Sequence, residues 1–367
     1  MMLAKWINFI NSPQLWLVTF LALINPFYPD VSAKEIKVGF IYVSSIQDAG
    51  WSQAHDQGRQ AIDKIPGVST TFVESVSEDA NSSQVESVLL HMAKNKYDLV
   101  FATSFGHMDM VNKVAPQYPN VIFMHCSGYL LGKNVGTYFG RIYEARYLTG
   151  LVAGAMTQKN IIGYVAAYPI PEVIRGINAF AIGVRESNPE AKIIVRWTKN
   201  WHNSSKEKLI ANELIDLKAD VIAQHQDSPA IQIEAQKRGI YSIGYHLDMS
   251  SFAPKAHLTA AIWQWSSVYK NITQKVLAGN WKSENIWWGL KQGLVDIAPF
   301  GPMVPEKLRK RVLRKKEDII SGKFSIFSGP ILDQNGSIRI PKGKQATDEE
   351  LRSMNWFAKG IDGTPEP

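Results

Sequence analysis

Apolar and polar positions along this chain follow two periods that take turns, one of continuous short apolar runs and one of helical spacing. Residues 38–43 (VGFIYV) form an apolar run that reads as a buried strand. The polar loop 44–47 follows, and Asp48 stands where a helix N-cap belongs. Ala54, Gly58, Ala61, Ile62 and Ile65 then fall at helical spacing, which predicts a helix from about residue 49. The same reasoning gives a strand over 70–76, a helix over 83–95, a strand over 97–102, a helix over 109–118 and a strand over 121–126. That βαβαβαβ alternation marks a doubly wound parallel sheet. A long helix over 142–157 carries small residues (Ala145, Gly150, Ala153, Gly154, Ala155) where another element can approach closely.

The pattern then restarts. Strands are predicted over 160–166, 192–197, 221–224 and 241–244, and helices over 171–187, 205–217 and 229–237. A helix over 258–277 and the segments after it are expected to cross back between the halves. The resulting division is α/β throughout: 34–158 plus about 246–282 in lobe 1, and 159–245 plus about 283–343 in lobe 2. A polar C-terminal tail, 344–367, follows, with its last residues expected to be disordered. Two doubly wound lobes joined by a hinge suggest a clamshell that closes on a ligand. In parallel sheets the ligand lies beyond the carboxyl ends of the strands. Trp51, in the first turn after the first strand, is placed there to stack on a planar group.

Composition narrows the class. Of 367 residues 45% are hydrophobic and 20% charged, which suits a globular chain of two domains. Eleven Trp are many for this length and favour a binder of small flat or sugar-like molecules. The stretch 15–24 is an apolar core too short to span a bilayer comfortably, and Val31-Ser32-Ala33 offers a cleavage site. Residues 1–33 thus read as a signal peptide cut after Ala33, with no nearby cysteine for lipid attachment, and imply a periplasmic protein. The net charge of +7 is dispersed except at 308–316 (LRKRVLRKK), read as the solvated face of a helix rather than a nucleic-acid site. Cys126, the single cysteine, lies in a buried strand and reads as a packed thiol. No phosphate loop, G-x-S-x-G elbow or metal-spaced histidines occur. Adjacent His55 and Asp56 point different ways on a helix and cannot form a dyad. We expect no enzyme activity, cofactor, metal or nucleic-acid partner.

Four segments carry a resemblance: VGFIYVSSIQDAGWSQAHDQG (38–58), FGRIYEARYLTGLVAG (139–154), IGYVAAYPIPEVIRGINAF (162–180) and DVIAQHQDSP (220–229). Together they resemble the basic membrane protein family, the purine nucleoside receptor-like substrate-binding proteins of ABC importers. The resemblance covers nearly all of the chain after residue 33. It implies a type I periplasmic-binding-protein fold, a purine-type ligand, an ABC transporter permease as partner, and a monomer. It places the family's first-loop Asp at Asp48 and its two base-stacking aromatics at Trp51 and Trp201. Ser104, Phe105 and Asp227 follow strand ends and join the candidate set, Asp227 either accepting from a base amino group or capping a helix. Asp248 is the best candidate polar contact near the edge of the second lobe. Nucleoside-binding relatives carry Gly-x-Asp-x-Asp after the last strand of the second lobe and a Lys in the next helix. Here Gly244-Tyr245-His246-Leu247-Asp248 replaces the first Asp by His, and 259–265 has no Lys. That loss favours a free base such as adenine. A nucleoside receptor for adenosine or guanosine, an exported purine-processing enzyme and a signalling receptor of the same fold are the alternatives.

Overall fold

The computed structural model describes residues 35–78 and 83–366. The expected leader, 1–33, lies outside the described residues. The first half contains β1 (Ile36–Ile41), α1 (Trp51–Ile62), β2 (Val68–Val73), α2 (Gln84–Lys94), β3 (Leu99–Ala102), α3 (Met108–Val114), β4 (Ile122–Cys126) and β5 (Val135–Gly140). Then come α4 (Ile142–Met156), β6 (Ile161–Ala166), α5 (Pro171–Ser187), β7 (Lys192–Trp197), α6 (Ser204–Asp216), β8 (Val221–His225), α7 (Ala230–Lys237), β9 (Tyr241–His246) and β10 (His257–Trp263). The chain continues through α8 (Ser266–Leu277), β11 (Asn285–Trp288), β12 (Val295–Ile297) and α9 (Glu306–Ile320). It ends in the short pieces β13 (Ile331–Leu332), β14 (Ile338–Ile340), α10 (Asp348–Arg352) and β15 (Ile361–Asp362).

Two main sheets result, in the orders β11-β5-β4-β3-β1-β2 and β12-β10-β9-β8-β6-β7-β15. Every pairing is parallel except that of β12 with β10. Each sheet reverses its strand order once, beside β1 in the first and beside β6 in the second, so each has a crevice at its carboxyl edge where a ligand can enter. The central strands β3 and β8 are fully buried; β3 reads as an unbroken apolar run, whereas β8 ends in the buried polar pair Gln224 and His225.

The division between lobes differs from the expected one. β10 lies in the second sheet, not in a helix of the first lobe, and α8 begins only at Ser266. The Ala-rich run His257–Trp263 extends because it pairs with β9 on one side and β12 on the other; short apolar runs fit strand and helix alike. β11 joins the first sheet, while α4 packs on α5, β10 and α9 of the second. The chain therefore crosses at Arg141, at Gln264 and Trp265, and at Gly289 and Leu290. These crossovers touch one another: Arg141 N donates to Trp288 O (2.7 Å) and Gln264 N to Leu294 O (2.8 Å). The tail is packed as far as β15. Leu351, Met354, Phe357 and Ile361 are buried, β15 extends the second sheet, and Asp348 forms a two-pronged pair with Arg141 (2.6 and 2.9 Å).

The small residues of α4 do what their spacing suggests. A Cβ on Gly150 or Gly154 would lie 2.2 Å from Phe180 O or 2.4 Å from Val184 O. On the facing helix, a Cβ on Gly183 would lie 2.1 Å from Tyr147 O. Backbone meets backbone here, and no side chain fits. The basic helix α9 buries Leu308 and Val312, while Arg311 and Lys315 pair with Glu186 and Lys316 with Asp296. Cys126 is buried, and burial pushes its thiol well up. Among the described residues no helix is long and apolar enough to cross a membrane. The α4–α5 contact predicts that Gly183→Leu lowers unfolding free energy by about 1–3 kcal/mol, read from urea denaturation.

Candidate functional site

A cleft with about 420 Å3 of empty space, part of it open to solvent, lies between the two sheets. Its walls come from strand ends. Val43 and Trp51 follow β1, Ser104 and Phe105 follow β3, and Ser127 follows β4. From the second sheet, Glu172 follows β6, Trp201 follows β7, His225 and Asp227 close β8, and Tyr245 and His246 close β9. Each wall residue is thus delivered by the carboxyl edge of a parallel sheet.

Five of the seven residues picked from sequence line this cleft: Trp51, Ser104, Phe105, Trp201 and Asp227. Asp48 does not. Its carboxylate accepts from the backbone N–H of Gly50 (2.8 Å), Ser52 (2.8 Å) and Gln53 (3.1 Å) and from Ser44 Oγ (2.6 Å). These bonds satisfy the open N-terminus of α1 and offset the cost of Ala49 at φ 58°, about 1–2 kcal/mol for a residue with a Cβ. Asp48 therefore fixes the turn that presents Trp51. Asp248 also lies off the cleft wall. It is 42% exposed, accepts from Ser250 N (2.9 Å) and faces His257 (3.6 Å). The left-handed conformation of His246 (φ 70°) reverses the chain just before it, so His246 enters the cleft wall and Asp248 leaves.

Trp51 is held firmly. Its indole Nε1–H donates to Thr103 O (2.9 Å), and its plane stands at 71–86° to His246, Trp263 and Trp265. Trp51 thereby joins the first sheet to aromatic side chains of the second and of the middle crossover. Trp201 is half-buried beside Tyr168 (5.1 Å between centroids), and its carbonyl accepts from Asp227 N (3.0 Å). Gly50 touches the other side of this turn: a Cβ there would lie 2.4 Å from Asp227 O. His55 and Asp56 point apart, the imidazole stacked on Trp265 at 4.2 Å and the carboxylate bonded to Arg59 at 2.6 Å.

The electrostatics are those of a desolvated acidic wall. His246 Nε2 and Asp227 Oδ1 lie 2.8 Å apart. Burial holds His246 well below its ordinary value, and burial with the charge of Asp48 holds Asp227 well above its own, so both lean to their neutral forms. Burial also raises Glu172 to about 7; Glu78 and Asp227 add to this and Arg175 opposes it. His225 is kept neutral by burial, then by Arg146 and His246. Both His225 and His246 keep Nδ1 without a protein partner among the described residues. Val43, Ser127, Glu172, His225, Tyr245 and His246 are not among the residues expected from sequence, although five of them sit at strand ends and Glu172 in the first turn of α5. Among the described residues no group of three or more His, Cys, Asp or Glu is arranged to hold a metal ion.

Residues 35–328 match the family described as ABC transporter substrate-binding protein, PnrA-like. A purine-binding protein of Brucella abortus strain 2308 is 41% identical over 331 residues, covering 90% of this chain and 93% of that protein. A Haloferax volcanii protein, provisionally designated the ABC transporter glucose-binding protein TsgA13, is 37% identical over 330 residues, 89% of this chain and 81% of its own. The fold is shared with an ABC transporter solute-binding protein of Aeropyrum pernix K1, at a TM-score of 0.68 and 19% identity over 86% of this chain and 97% of that one. The family and these relatives are solute-binding proteins rather than enzymes. With every cleft residue inside the matched span, the chain belongs to the PnrA-like family of ABC transporter substrate-binding proteins.

Proposed function

We propose that this protein captures a purine in the cleft between its two sheets and delivers it to an ABC transporter permease. The observation that carries the reading is the pair of indoles, Trp51 and Trp201, lining one cleft from opposite sheets beside the acceptors Asp227 and Glu172. Base–aromatic stacking contributes about 1–3 kcal/mol per base and suits any purine. Asp227, Glu172 and the free ring nitrogens of His225 and His246 can hydrogen-bond the edge of a heterocycle. A free base such as adenine fits better than a nucleoside. His246 holds the place of a ribose-binding Asp and is committed to Asp227, while Asp248 faces away. The name of the Haloferax relative favours a second reading, a hexose, for which the same indoles would serve as platforms. The protein acts as a monomer in the periplasm after loss of residues 1–33.

Titration calorimetry with adenine, adenosine, guanosine and glucose separates these readings: micromolar or tighter binding of adenine alone is expected, and binding of glucose alone would sink the purine. Trp51→Ala should weaken adenine binding by about tenfold or more, and an unchanged affinity would remove Trp51 from the ligand. Glu172 supplies a pH test. Its raised value means that the folded protein holds a proton which the unfolded chain gives up near the ordinary Glu value. Stability therefore falls as pH rises from about 5 to 8, and Glu172→Gln should flatten that fall; parallel melting curves for both proteins would refute it. Intact mass of the protein exported by its own cells should begin at Lys34.

A further inference from the structure

Beyond Glu172, Phe105 and Ser127 the cleft opens into a second chamber of about 800 Å3 of empty space. Its character is opposite to that of the first. Arg175 and Arg352 line it together with Trp287 and Asn285. The guanidinium carbons of Arg141, Arg175 and Arg352 lie 4.1, 5.0 and 4.7 Å from the centroid of the Trp287 ring, so no two of them are more than about 10 Å apart. The carboxylates that answer this charge are few. Asp348 is hydrogen-bonded to Arg141, and its charge also acts on Arg352 and Arg175 from beyond ion-pair distance. Glu172 stands at the shared wall, beyond ion-pair distance of Arg175.

Arg175 is 4% exposed and donates to Leu351 O (2.5 Å). Among the described residues no carboxylate pairs with it, nor with Arg352. A buried guanidinium without a counter-ion is costly. Burial pulls Arg175 down to about 10, and Arg141 and Arg352 pull the same way against Glu172. The chamber therefore carries an excess of positive charge, three guanidinium groups against Asp348 and Glu172, and Arg forks match the oxygens of phosphate.

We propose that this chamber is an oxyanion subsite, which takes a phosphate group carried by the ligand whose flat ring occupies the neighbouring cleft. The ligand class then extends from purine bases to purine nucleoside monophosphates. Arg352 and Arg175 hold the phosphate, and Trp287 fixes the guanidinium planes. The ring position rests on the purine reading; the anion position does not.

The test compares wild type with Arg352→Gln, a change at an exposed position. Calorimetry measures adenine, adenosine and adenosine monophosphate; melting curves are taken with and without inorganic phosphate. If adenine binds, the monophosphate should bind about tenfold or more tightly than adenosine, and Arg352→Gln should erase that preference. A monophosphate no tighter than adenosine overturns the subsite while leaving the purine reading in place. If adenine does not bind, the purine reading fails, and the subsite is judged by phosphate alone. Stabilisation of wild type but not of the variant supports it, and equal melting temperatures overturn it.

Discussion

Two stiff sheets can share a ligand only if their carboxyl edges come close without their own side chains filling the gap. In this protein that approach is set at Gly50, whose α-carbon lies against the backbone of Asp227. Any larger residue would hold the edges apart. The turn around Gly50 is shaped by Asp48, which gathers three backbone N–H groups, and it ends in Trp51, locked to Thr103 O. On the other side Asp227 is tied to Trp201 through its N–H and to His246 through its carboxyl group. The two indoles of the cleft thus hang from the same backbone contact, one on either side. The distance between the walls depends on that contact more than on any side chain.

The buried polar groups around the cleft have a second consequence. His225, His246, Asp227 and Glu172 are each pushed toward the uncharged form by desolvation. A wall of neutral donors and acceptors suits an uncharged heterocycle, because neither side must shed a tightly held hydration shell. The chamber beyond Glu172 keeps its charge on arginines instead, which cannot neutralise at ordinary pH. The interior therefore grades from neutral to positive along one line through Glu172.

Much of this architecture was legible in the order of periods along the chain. The strands and helices from β1 to β9 follow their apolar runs and stripes to within a few residues, since buried parallel strands and amphipathic helices carry strong signals. β5 is the exception: VGTYFG has a glycine at two of its six positions and Thr137 between them, which breaks the apolar run. β10 was taken for helix because its alanines suit both states and only pairing with β9 and β12 decides. The tail looks polar because its buried Leu351, Met354, Phe357 and Ile361 are spread singly among short elements and loops. Of the five expected residues that line the cleft, Ser104, Phe105 and Asp227 are readable from the strand ends they follow, Trp51 from its place after β1 and the family resemblance, and Trp201 from that resemblance. His225 and Tyr245 belong to strands that run one and two residues beyond their expected ends at 224 and 244, and Asp248 lies off the cleft because the reversal at His246 cannot be read from a histidine.

The halves are linked by three crossovers laid side by side and bonded to one another, at Arg141, at Gln264 and Trp265, and at Gly289 and Leu290. Three parallel straps resist twisting and sliding, and leave one rotation as the soft coordinate. Trp265 sits on the middle strap, stacked 4.5 Å from Trp263 and edge-on to Trp51. Whatever lodges against Trp51 therefore lies close to the axle, where a displacement of a fraction of an ångström is geared up into a much larger swing at the outer rims that a membrane complex could sense.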